Sequence, residues 1–131
     1  MKYSLILLSA IFTLAGCISS NDNSVVLKPE TFKSKIETRE VQLIDVRTPK
    51  EFNSGHIKNA VNINYFSENF QDSLRLLQIK SPVFVYCRSG KRSSKSVAAF
   101  KAVGFDSIYQ LAGGLLKWQS LDFEIEKKQK K

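Results

Sequence analysis

One cysteine in this chain stands where chemistry can be done. Cys87 follows the apolar run Val83-Phe84-Val85-Tyr86 and precedes Arg88-Ser89-Gly90-Lys91-Arg92-Ser93. A strand ending at Cys87, a short polar loop and a helix from about Ser93 would place the thiol beyond a strand's carboxyl end, where open α/β sheets bind ligands. A loop that feeds a helix N-terminus turns several backbone N–H groups toward one anionic centre, and Gly90 permits a tight turn there. Arg88, Lys91 and Arg92 add three positive charges close by. Both features favour thiolate over thiol, attract an anionic substrate and favour a charged covalent adduct. The expectation is an exposed, low-pKa nucleophile at Cys87, with Arg88, Ser89, Gly90, Lys91 and Arg92 as its substrate-binding loop.

The surrounding elements alternate. Lys28-Pro29-Glu30 has the form of a helix start, with Pro at an early position and Glu near the positive end; the helix is expected to run through Phe32 and Ile36. Val41 to Val46 is a short apolar, β-branched strand. Thr48 and Pro49 read as the N-cap and first residue of a short helix that Gly55 ends. Ala60 to Ile63 predicts a second strand, and Phe66, Phe70, Leu74 and Leu77 predict a helix over 66–79. Pro82 to Tyr86 is the third strand, Ser93 to Val103 a helix, and Ile108 to Leu111 the fourth strand. Gly113-Gly114 makes a turn before a last short helix containing Trp118. Strand and helix in alternation favour an α/β layer structure with a mostly parallel sheet.

The first seventeen residues read as an address. Lys2 supplies a positive start, Tyr3 to Leu14 is an apolar run too short to span a membrane permanently, and Leu14-Ala15-Gly16-Cys17 follows. This resembles the lipobox of bacterial lipoproteins, which implies that Cys17 is lipidated and becomes the mature N-terminus. Residues 1–16 are then a signal peptide, 17–24 a lipidated, flexible polar tether, 25–126 the folded domain and 127–131 a basic tail. The expected location is the cell envelope, with a membrane partner through the lipid. Ile18, not Asp, follows the cysteine, which favours an outer membrane facing the periplasm if the source is Gram-negative. With Cys17 lipidated, Cys87 has no intramolecular partner. A leftover thiol in an exported protein calls for a chemical explanation.

The 131 residues favour one domain, and 43% hydrophobic content argues against global disorder. The formal charge is +8, but Lys127, Lys128, Lys130 and Lys131 crowd into a solvated end. No zinc-finger spacing, basic helix-turn-helix or aromatic ribonucleoprotein motif appears, so no nucleic-acid partner is expected. No metal or cofactor is expected either.

Three motifs in order give the reading a family. Leu43-Ile44-Asp45-Val46-Arg47-Thr48-Pro49-Lys50-Glu51-Phe52 with Gly55-His56-Ile57-Lys58-Asn59-Ala60-Val61-Asn62-Ile63, then Val85 to Ser93, then Leu111-Ala112-Gly113-Gly114-Leu115 with Trp118, resemble the signatures of a rhodanese domain. The resemblance implies an α/β fold with a parallel, about five-stranded sheet and helices on both faces. It further implies a sulfurtransferase that passes sulfur from a small anionic donor to a thiol or cyanide-like acceptor through a Cys87 persulfide. A protein acceptor is compatible with it, as is a persulfide carrier or a binding module without turnover.

His56, the lone histidine, invites a Cys-His pairing, yet Gly-His-Ile resembles the family's packing motif. Asp45 and Arg47, two residues apart at a strand end, are expected to hold the turn that follows. Trp118 is expected in the core. The related phosphatases and arsenate reductases have loops that resemble Cys, five residues, Arg. Here only four residues separate Cys87 from Arg92, which suits one sulfur atom better than a phosphate-sized oxyanion.

Overall fold

The computed structural model describes residues 23–127. Cys17, the apolar leader and all but the first residue of the basic tail lie outside them. Ten elements follow in chain order: β1 (Ser24–Leu27), α1 (Pro29–Glu37), β2 (Gln42–Asp45), α2 (Pro49–Ser54), β3 (Val61–Asn62), α3 (Phe70–Leu74), β4 (Val83–Tyr86), α4 (Lys91–Val103), β5 (Ile108–Leu111) and α5 (Gly114–Ser120). The strands form one sheet in the order β1-β5-β4-β2-β3, every neighbouring pair parallel.

The central strand shows why the sheet is covered twice. All four residues of β4 are buried, as a parallel strand with helices on both faces requires. Val83, Val85 and Cys87 face one side with Ile44, Val46, Phe70, Leu74 and Phe100. Phe84 and Tyr86 face the other with Phe32, Leu43, Leu115 and Trp118. Thus α3 and α4 cover one face and α1 and α5 the other. Each such apolar side chain taken from water contributes roughly 1.5–3 kcal/mol before entropy is counted. The site sits at the carboxyl end of this best-buried strand.

Three expectations are corrected. The helix expected over 66–79 is only α3, Phe70–Leu74; Phe70, Leu74 and Leu77 face the core as spaced, but Phe66 is 65% exposed and lies before the helix. Beyond Leu74 the chain runs in single turns, with Leu76 N–H bonding to Ser73 and Leu77 N–H to Leu74. Second, α4 begins at Lys91, two residues before Ser93, because Gly90 takes the N-cap position with a left-handed backbone at φ 100°. Third, Ser24 is not tether. It opens β1 in register with Ile108, and its hydroxyl accepts from Gln110 Nε2 at 2.7 Å.

Candidate active site

Cys87 is the first residue after β4 and is 1% exposed. The expected exposed position is therefore wrong: the side chain points into the face shared with α4, because Cys87 continues the alternation of Val83 and Val85. Burial is compensated by hydrogen bonds. Gly90 N–H donates to Sγ at 3.1 Å, and the Ser93 hydroxyl lies 3.6 Å away. Burial alone pushes the thiol pKa up. The backbone N–H and hydroxyl of Ser93, with the N–H groups of Gly90 and Ser89, outweigh it and hold the thiol below its ordinary value. Low pKa was expected, but its source is the wrapped backbone more than the basic side chains. Cys87 is a free thiol.

The three cations separate. Arg92 Nη1 and Nη2 donate to Glu51 Oε2 and Oε1 at 2.7 and 2.8 Å, and the guanidinium stands over the Phe66 ring at 5.7 Å. The Arg92 contacts, with the Thr48 capping bonds helping against partial burial, hold the Glu51 carboxyl down at about 2. Arg92 thus joins α4 to α2 and is largely neutralised. Arg88 and Lys91 are exposed and have no ion-pair partner among the described residues. Ser89 is exposed, and Gly90 is half-buried. Glu51 and Ser93 were missed as site residues. The Thr48-x-x-Glu51 capping box was visible in the sequence, but nothing local pointed Glu51 toward Arg92.

The loop is closed from behind by α5. Leu115 and Leu116 N–H donate to the Cys87 and Arg88 carbonyls at 2.9 and 3.0 Å. A Cβ at Gly114, where φ is +60°, would stand 2.5 Å from the Arg88 oxygen and 2.6 Å from that of Cys87. Only glycine lets the start of α5 lie this close. Those two bonds give the carbonyls of the reactive loop their partners within the protein.

A fold of this order, with a strand-end cysteine ringed by N–H groups, matches known proteins over most of its length. Residues 28–121 match the Rhodanese-like domain family. The chain belongs to that family. It is 33% identical over 108 residues to Bacillus subtilis (strain 168) protein YqhL, covering 82% of each. It is 31% identical over 106 residues to a tRNA uridine(34) hydroxylase of Onion yellows phytoplasma, of which it spans 33%. Among solved structures it resembles a rhodanese-like domain protein from Staphylococcus aureus (29% identity, TM-score 0.68, covering 80% of this chain and 99% of that one). It also resembles the polysulfide-sulfur transferase of Wolinella succinogenes (27%, TM-score 0.64, 80% of each).

In this rhodanese-like domain the other tempting residues are held by partners other than Cys87. Asp45 is fully buried and holds Arg47 through both carboxylate oxygens, and Arg47 Nη2 also donates to the Gly55 carbonyl at 2.6 Å. The pair anchors the β2–α2 turn. His56 stacks on Phe52 at 3.8 Å between centroids, its Nδ1–H donates to the Phe52 carbonyl, and its backbone pairs with Glu126. Trp118 is buried, and its indole N–H donates to the Glu124 carbonyl. Among the described residues no group of three or more His, Cys, Asp or Glu is placed to hold a metal.

Proposed function

We propose that this protein is a sulfurtransferase in which Cys87 takes a sulfane sulfur from a small anionic donor and passes it to a thiol. The Cys87 thiolate attacks the outer sulfur of a donor such as thiosulfate; the donor's S–S bond breaks and sulfite leaves with the electron pair. The persulfide Cys87–S–S⁻ then carries one negative charge on its outer sulfur. An acceptor thiolate attacks that sulfur once it is protonated, and the electron pair returns to Cys87.

The observation that carries this reading is the set of N–H groups from Ser89, Gly90 and Ser93 about Sγ. Such groups stabilise thiolate, leaving group and persulfide alike. The four-residue gap leaves a loop too short to surround a phosphate-sized oxyanion, and Arg92 already directs two of its donors to Glu51. The named activity of the Wolinella succinogenes protein supports a polysulfide as a donor. Intact mass after treatment with thiosulfate or polysulfide should rise by about one sulfur, fall back on addition of cyanide or a thiol, and stay fixed in Cys87→Ser. No gain from any donor would leave a binding module. Gain without discharge to small thiols would mark a carrier for a protein acceptor.

We further propose that lipid on Cys17 holds the domain in the cell envelope. Its support is the positive start, short apolar run and Leu-Ala-Gly-Cys ending. A fatty-acid analogue fed to cells should label the natural chain and not Cys17→Ser; equal labelling of both would remove the anchor.

A further inference from the structure

The cationic field of the active loop is one-sided. On the α2 side, Arg92 is tied to Glu51 and Phe66 lies exposed. On the β1 side a groove of about 640 Å³ opens from the loop, lined by Gly90 and, beyond it, Val26, Lys91, Ser94, Lys95 and Ala112. Gly90 is the residue whose N–H touches Cys87 Sγ, so groove and thiol share a wall. Lys91 and Lys95 stand one turn apart on α4, both exposed and without an ion-pair partner among the described residues. No carboxylate lines the groove. Val26, 59% exposed, gives it an apolar wall.

This volume lies within the range of small-molecule sites, about 300–1,000 Å³, and far exceeds the reacting sulfur. Inorganic donors have no carbon skeleton to set against Val26 and Ala112. Building on the sulfur transfer set out above, we propose that the groove binds the body of the acceptor, a low-molecular-weight thiol bearing carboxylates. Its carboxylates lie on Lys91 and Lys95 and its carbon skeleton lies along Val26, while its thiolate reaches the outer sulfur on Cys87. The acceptor's sulfur forms the new S–S bond, the Cys87 S–S bond breaks, and the electron pair remains on Cys87 as thiolate. Lys95 is then a specificity-determining residue outside the loop.

The test uses the full chain loaded with thiosulfate and discharged by mercaptosuccinate, a dicarboxylate thiol, or by neutral 2-mercaptoethanol. Lys95→Glu should lower the second-order rate for mercaptosuccinate about fivefold relative to 2-mercaptoethanol, the scale that one exposed charge pair supplies. Lys80→Glu, the same charge change on an exposed residue outside the groove, should leave that ratio near the parent value. In parallel, non-reactive (methylthio)succinate should shift amide resonances of Val26, Ser94, Lys95 and Ala112, and more weakly in Lys95→Glu. If Cys87 loads but Lys95→Glu leaves the ratio unchanged, or changes it no more than Lys80→Glu, the groove is not the acceptor site and the sulfur-transfer reading stands. If Cys87 never loads, that reading falls and the resonance shifts alone decide: their absence, or their appearance elsewhere, overturns the groove.

Discussion

Arg92 and Glu51 meet through two nearly parallel hydrogen bonds, 2.7 and 2.8 Å, across the gap between the reactive-loop helix and the helix after β2. A basic residue five positions after a reactive cysteine is an obvious anion ligand on paper. In the folded chain its guanidinium holds two helices together, and Glu51 serves Arg92 and the Thr48 cap at once. The anion-attracting charge left on the loop belongs to Arg88 and Lys91.

Glu51→Gln should therefore destabilise the domain by about 1–2 kcal/mol, combining a partly buried ion pair with a weakened capping box. The pH dependence has a definite sign. The folded Glu51 carboxyl sits at about 2, below its ordinary value of 4.5, so its contribution is complete above the ordinary value. It is lost as pH falls through that window toward 2. Urea midpoints at pH 7 and pH 3 should differ more for the parent chain than for Glu51→Gln; identical acid sensitivity would show that the pair carries no stability.

Ser93→Ala removes the hydroxyl 3.6 Å from Cys87 Sγ and leaves the backbone N–H groups in place. The Gly90 carbonyl keeps its bond from Ser94 N–H, so no buried backbone acceptor is orphaned. The inflection in alkylation rate against pH should move up toward that of an ordinary thiol, and sulfur loading at pH 7 should slow severalfold. The position of the inflection is the readout, since burial slows alkylation at every pH. An unmoved inflection would assign thiolate stabilisation to the backbone alone.

Gly114→Ala should cost at least about 2 kcal/mol. A left-handed backbone strains a non-glycine residue by about 1–3 kcal/mol, and here the added Cβ also meets two carbonyl oxygens at 2.5 and 2.6 Å. Because those oxygens belong to Cys87 and Arg88, sulfur loading should fall more steeply than global stability. Thermal unfolding and loading measured on one preparation separate the two effects.

What could be read from the sequence was what neighbours along the chain decide. The apolar run of β4, the glycine before α4, the Thr48 cap and the strand–helix alternation each depend on residues within a turn or two. Together they imply a parallel sheet with a thiol at its carboxyl edge. Tertiary structure alone decided where distant segments meet. Ser24 to Leu27 carry little periodicity and become a strand only because β5 offers its free edge. The Cys87 side chain is buried because the pleat turns it toward α4, whereas loop composition alone favoured exposure. Phe66 continued a helical spacing on paper, yet in the fold it stays largely exposed beside the Arg92 guanidinium and is not packed into the core. Which of three nearby cations stays free depends on whether a carboxylate from another element comes within 3 Å. Chain proximity carries no record of that.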